Sequence, residues 1–158
     1  TRPEPVISKS GMKIMSLNDP TKKMSKSDEK PNAVVYILDD RDTIIRKFKK
    51  AVTDSEGEIA YREGKDGINN LLSIYSAITG NTIEQSVAEF SGKGYGEFKL
   101  AVAEVVADCL QPIQERYYAL QNDKAYIQSV YREGAEKASR IAYKTLRKVY
   151  KKVGFTER

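Results

Sequence analysis

Thr21-Lys22-Lys23-Met24-Ser25-Lys26-Ser27 is the stretch of this chain best suited to chemistry. It sets three lysines beside the hydroxyls of Ser25 and Ser27, with Met24 the one apolar residue among them. A turn carrying Pro20 precedes it, and Asp28 and Glu29 follow. A short cationic, hydroxyl-rich loop suits a polyphosphate anion. Lysine brings mobile point charge, while serine and backbone N–H groups bring oriented donors. As bare composition, a solvated turn explains the same residues.

The elements around the loop follow from hydrophobic period. Gly11–Leu17 alternates Met12, Ile14 and Leu17 with Lys13 and Ser16, a weak strand pattern leading into the turn Asn18-Asp19-Pro20. Val34–Leu38 reads as a short strand or a buried connector. From Asp39 the pattern turns helical. A first helix runs to about Val52 with Ile44, Ile45, Phe48 and Val52 on one face and Arg46, Lys47, Lys49 and Lys50 on or near the other. A second covers roughly Gly67–Thr79 with Gly80 as C-cap. Thr82 and Gln85 are spaced as a capping box for a short third. The fourth reaches about Asn122 and contains Pro112, which predicts a kink. The last runs from after Asp123 to about Val153 with Ile127, Val130, Tyr131, Ala138, Ile141, Ala142, Leu146, Val149 and Val153 as its apolar stripe. The fold expected is mainly α: an antiparallel bundle of about five helices, preceded by a short strand/loop segment. Residues 1–38 and 39–158 are expected to be distinct parts, and the first strand lacks partners of its own.

Composition narrows the chemistry. The chain has 158 residues, with Lys plus Arg exceeding Asp plus Glu by 27 to 22, for a net charge of +5. That excess permits a polyanionic partner without demanding one. With no His and one Cys, no Cys/His zinc site and no Ser-His-Asp or Cys-His machinery can form within the chain. Cys109 lies in the apolar run Val102–Leu110, which predicts a buried, inert thiol. No apolar run reaches membrane-spanning length, and no secretory leader is legible. The start, Thr1-Arg2-Pro3-Glu4-Pro5, lacks an initiator Met and looks like a linker cut, so an excised piece of a longer protein is expected.

The longer string Ile14-Met15-Ser16-Leu17-Asn18-Asp19-Pro20-Thr21-Lys22-Lys23-Met24-Ser25-Lys26-Ser27-Asp28 contains KMSKS, the second signature loop of class I aminoacyl-tRNA synthetases. It closely resembles the bacterial tryptophanyl-tRNA synthetases. The resemblance continues through Ala51–Gly57, Gly67–Gly80, Gly92–Phe98, Leu110–Tyr117 and Glu133–Ala138, in order and across essentially the whole chain. It implies an ATP-dependent ligase that activates L-tryptophan and transfers it to tRNA(Trp), with Mg2+ bound along with ATP. By resemblance, Lys23 and Lys26 contact the triphosphate, Lys26 meeting the departing pyrophosphate. Met24, Ser25 and Ser27 hold the loop and offer donors, and Ile14 lies beside the adenine. From pattern alone, Ile14 is equally a strand core residue.

A class I enzyme also needs a Rossmann-type half with an HIGH-like signature, which a chain without His does not hold. The resemblance therefore implies the C-terminal part of a cytoplasmic, homodimeric enzyme, inactive by itself. In that reading residues 1–38 are the edge of the catalytic domain and 39–158 the helical anticodon-binding domain.

On the last helix, Lys137, Arg140, Lys144, Arg147 and Lys151 recur at three- and four-residue spacing. A solvated face explains them as well as a tRNA phosphate contact does; the resemblance favours the second. Asp54 and Ser55 could offer base-edge hydrogen bonds, or simply end a helix. Tyr117, Tyr118, Tyr126, Tyr131, Tyr143 and Tyr150 could stack on bases, but packing explains most of them. Gly92-Lys93-Gly94-Tyr95-Gly96 follows a helix and is read as an interhelix turn. A tyrosyl-tRNA synthetase, a freestanding helical RNA-binding module and a helical interaction domain without nucleic acid are the competing readings.

Overall fold

The computed structural model describes residues 2–7 and 11–156; Thr1, Ser8–Ser10, Glu157 and Arg158 lie outside the described residues. Among them five helices form: α1 (Arg41–Lys49), α2 (Asp66–Thr79), α3 (Ile83–Glu89), α4 (Tyr95–Asn122) and α5 (Lys124–Val153). The mainly α class read from the sequence holds. The chain divides into two compact units, Thr1–Gln114 and Glu115–Arg158.

Helix starts follow local chemistry. Asp40 caps α1 by accepting from Thr43 N at 2.7 Å. Thr82 and Gln85 form the reciprocal capping box at the start of α3, and Asp123 caps α5 by accepting from Tyr126 N at 2.9 Å. Such caps satisfy N–H groups that have no partner inside the helix. Gly80 ends α2 in the left-handed region, φ +80°, where a Cβ would be strained. α1 stops at Lys49 rather than near Val52. The chain turns extended there, Ala51 takes the core position, and Val52 is left exposed while its N–H donates to Leu17 O at 2.8 Å.

The core of the first unit gathers Ile44 and Phe48 of α1, Ile68, Leu71, Leu72 and Tyr75 of α2, and Phe98, Val102 and Val106 of α4. Phe90 sits between rings, 5.1 Å from Tyr75 edge-on and 4.8 Å from Phe98. Ser76 of α2 and Ser86 of α3 share a buried 2.8 Å hydroxyl contact. Leu17, Ala33 and Val34 are buried too, so the loop-bearing segment packs into this unit. Gly67 lets the start of α2 pass close to the connection after α1. A Cβ there would stand 2.1 Å from Val52 O, so only hydrogen fits.

Two sequence expectations need correction. Cys109 is exposed, not buried. Helical period places Cys109 on the same face as Phe98, Val102 and Val106, but the last buried residue of α4 is Ala107, so the cover over that face ends before the thiol. The apolar stripe of α5 is not a core stripe, because no α5 residue is buried; Ile141 is 72 % exposed. Pro112 is accommodated inside a continuous α4.

The predicted strand is an isolated antiparallel bridge between Met15 and Lys23. Its expected lack of partners is resolved by a side chain. Asn70 of α2 accepts from Met15 N and donates to Met15 O, both at 2.9 Å. One amide thus replaces the neighbouring strand. Asn70→Ala leaves both Met15 backbone groups unpaired, and is expected to cost about 3 kcal/mol in urea unfolding monitored by circular dichroism. A loss below about 0.5 kcal/mol would show that Asn70 does not hold the segment.

Candidate functional site: the basic loop and its supports

The basic loop is built on a two-sided anchor. On one side Ser16 N donates to Lys22 O at 2.8 Å and Met24 N donates to Ile14 O at 2.9 Å. On the other, Leu17 N reaches Ala33 O at 3.0 Å, and Asn70 holds Met15. Met24, the loop's apolar residue, packs against the core together with Ile14. The side chains between these anchors are exposed: Lys23, Ser25, Lys26 and Ser27 all face outward.

The turn leading in is tied by Asp19. Its carboxylate accepts from Thr21 Oγ1 at 2.6 Å and pairs with Lys22 at 2.9 Å. The hydrogen bond from Thr21, then that from Lys22, holds the Asp19 carboxyl down at about 2. Lys22 is therefore committed to its own turn. Lys23 and Lys26 have no carboxylate within ion-pair distance among the described residues. Ser25 and Ser27 hydroxyls lie 3.0 Å apart, and Asp28 N closes the far turn on Ser25 O at 3.1 Å. Two unpaired ammonium groups, two hydroxyls and a pinned backbone can meet a polyanion without first breaking an ion pair. The Ile14 N–H has no partner among the described residues, so a donor stands open where its carbonyl is already used.

The structure places Asp54 differently from the other candidates. It belongs to a network around Lys65, whose side chain is only 1 % exposed. Lys65 Nζ reaches Asp54 Oδ1 at 3.0 Å, Glu56 Oε2 at 2.9 Å and Tyr95 OH at 3.0 Å. Tyr95 OH also meets Asp54 Oδ1 at 2.6 Å, and Arg62 pairs with Glu56 from outside. Burial raises the Asp54 carboxyl, but hydrogen bonds from Tyr95, the Glu56 amide and Lys65 outweigh it and hold it at about 2. Burial likewise opposes the Lys65 charge, and Glu56, Tyr95 and Asp54 outweigh it and raise its pKa. Asp54 Oδ2 is buried without a hydrogen-bond partner, whereas Ser55 is exposed. Nothing in the local residue pattern points to this network; Lys65 lies in a polar stretch that reads as irregular.

In the second unit, Lys144, Arg147, Lys148 and Lys151 line an open concavity of about 730 Å³ with Gly154 and Phe155. Arg140 lines another with Glu136, Ser139 and Tyr143. Lys137 is paired with Glu133 at 2.6 Å. Tyr117 and Tyr118 pack edge to face at 5.4 Å, and Tyr150 meets Phe155 at 5.8 Å.

Residues 1–111 match the family described as tRNA synthetases class I (W and Y). The chain belongs to that family. Similar proteins include "Tryptophan--tRNA ligase" of Wolinella succinogenes, 51 % identical over 152 residues, covering 96 % of this chain and 46 % of that protein. Another is the protein of the same name from Halalkalibacterium halodurans, 51 % identical over 155 residues, covering 98 % and 47 %. Among solved structures, tryptophanyl-tRNA synthetase from Mycoplasma pneumoniae is similar with a TM-score of 0.74 and 30 % identity, over 94 % of this chain and 45 % of that one. The chain spans about half the length of the curated relatives it matches. In the KMSKS motif of this chain Lys23, Ser25, Lys26 and Ser27 are exposed, while Met24 packs inward. No helix among the described residues is long and apolar enough to cross a membrane.

The Asp54 network yields a pH test. Its folded pKa lies below the ordinary 3.8, so its stabilisation is complete above about pH 4 and drains away as pH falls towards 2. Asp54→Asn is expected to flatten the pH dependence of the urea midpoint across that window. Asp19, also depressed, leaves a residual slope. Identical slopes in variant and wild type would rule the network out as a source of acid sensitivity.

Proposed function

We propose that this chain is part of a tryptophan–tRNA ligase, supplying the loop that meets ATP and a helical region that meets tRNA(Trp). The activity is proposed for a protein that contains this chain; the 158 residues alone are not expected to activate tryptophan. The relatives' names favour tryptophan over tyrosine as the amino acid. Residues 1–38 act as the edge of the catalytic domain and 39–158 as the tRNA-binding part. The enzyme works as a homodimer in the cytoplasm.

The observation that supports this reading is the contrast between lysines of one loop. Lys22 is neutralised by Asp19, while Lys23 and Lys26 stand unpaired on an anchored backbone. In the first step a carboxylate oxygen of L-tryptophan bonds to the α-phosphorus of ATP. The bond from that phosphorus to the bridging oxygen breaks, and pyrophosphate leaves with the electron pair. Lys26 meets the charge building on the departing oxygens and Lys23 holds the triphosphate. Ser25 and Ser27 orient donors towards it, Met24 holds the loop through its bond to Ile14 O and its packing on the core, and the open N–H of Ile14 faces the adenine. This is electrostatic catalysis by placed charge. Mg2+ enters with the nucleotide, and no cluster of three or more carboxylate or thiol ligands forms among the described residues to hold it separately. In the second step a ribose hydroxyl of the tRNA 3′ adenosine attacks the activated carbonyl and AMP leaves.

In a full-length protein carrying this chain, Lys26→Ala is expected to slow tryptophan-dependent pyrophosphate exchange by about 100-fold, a transition-state loss of ~3 kcal/mol. A rate within twofold of wild type would overturn the assignment of Lys26.

On α5, Arg140, Lys144, Arg147 and Lys151 are proposed to contact tRNA phosphates, with exposed Ser55 as a further tRNA contact; Asp54, whose carboxylate is held inside the Lys65 network, supports that turn instead. Four such contacts predict that log Kd for tRNA(Trp) changes with log salt with a slope of about 3. The double variant Lys144→Gln, Lys151→Gln is expected to reduce that slope by about 1 to 2. An unchanged slope would move the phosphate contacts elsewhere.

A further inference from the structure

The far side of the basic loop is held by a residue that the motif does not contain. Tyr36 OH donates to the main-chain carbonyl of Lys26 at 3.3 Å. This is longer than the usual O–H···O distance of about 2.7–2.8 Å, so it steers the loop without clamping it. Tyr36 itself stands on a firm post. Its N–H donates to Asp39 Oδ2 at 2.8 Å, and the same oxygen pairs with Lys47 at 2.6 Å. Lys47 Nζ lies 4.7 Å from the centre of the Tyr36 ring, a cation–π distance. Lys47 projects from α1 and its side chain is only 5 % exposed. Gln114 Nε2 adds bonds to Ile37 O at 2.7 Å and Asp39 O at 2.8 Å. The ring is thus held from the helical side, and its hydroxyl reaches the loop.

We propose that Tyr36 is a positioning residue for the basic loop, holding the main chain at Lys26 while the Lys26 ammonium stays free. The geometry separates two tasks within one residue. The carbonyl of Lys26 is tied to the α1 post, which narrows the swing of the peptide. The side chain, with no ion pair of its own, points its charge from a fixed origin. A lysine on an untethered loop would lose more freedom on meeting an anion, and that lost entropy weakens binding. The effect on ATP rests on the reading of this loop as a triphosphate grip; the tether itself does not.

Tyr36→Phe removes the hydroxyl and keeps the ring over Lys47. Trypsin reads the tether directly, because the Lys26 carbonyl must leave Tyr36 to enter the protease's oxyanion hole. On the native 158-residue chain, cleavage at Lys26–Ser27 relative to Lys93–Gly94 is expected to rise about threefold in the variant, the scale of one modest hydrogen bond. An unchanged ratio overturns the proposal. In the full-length protein, the KM for ATP in pyrophosphate exchange is expected to rise about threefold with the KM for tryptophan unmoved. Faster cleavage with both constants unmoved supports the tether and counts against the triphosphate reading.

Discussion

The amide of Asn70 is the contact on which the rest of this arrangement depends. It satisfies both backbone groups of Met15 at 2.9 Å, and Met15 is the residue bridged to Lys23. Remove that amide and the segment has one edge paired and one edge facing the interior, where an unmet N–H or C=O is expensive. With it in place, α2 fixes residues 14–16, residues 14–16 fix 22–24, and the loop's lysines leave the surface from a known point. The price of the device is a buried amide on α2, a helix that also buries Ile68, Leu71 and Leu72.

The same unit uses buried charge for placement. Lys47 with Asp39, and Lys65 with Asp54, are near-buried pairs, and half-exposed Glu56 completes the second. Desolvation offsets much of what such pairs gain, so they add little net stability. They do fix direction: each ammonium can satisfy its hydrogen bonds in few geometries. Lys47 seats the Tyr36 ring, and Lys65 closes the turn after α1 on Tyr95 of α4. Lysines that look like a solvated face in the sequence thus divide into structural ones, which are paired and hidden, and exposed ones.

That division marks the limit of what could be read from residues alone. Helix positions, the Asp40, Thr82 and Asp123 caps and the Gly80 stop were legible, because they rest on neighbours within four residues. The loop was legible because its composition and spacing are local. What could not be read depends on contacts between distant positions. Asn70 lies 55 residues from Met15, and Lys65 lies 30 from Tyr95. Period also misjudged burial at Cys109, Val52 and the α5 stripe. It says which residues share a face, and the tertiary surroundings decide whether that face is covered. Asn70 lies off the stripe formed by Ile68, Leu71, Leu72 and Tyr75, so the residue pattern carried no sign that it is buried.

The ion pairs have a consequence for how this chain responds to its surroundings. Imidazole is the side chain whose ordinary titration falls between pH 5 and 8, and the chain has no histidine. Its engaged carboxylates, Asp19 and Asp54, are pushed further into acid, and its buried Lys65 further into base. The protonation of all these groups is therefore nearly constant across the range in which cells vary their acidity. These ion pairs are proton-deaf near neutrality, and the chain's excess of five positive charges answers to ionic strength.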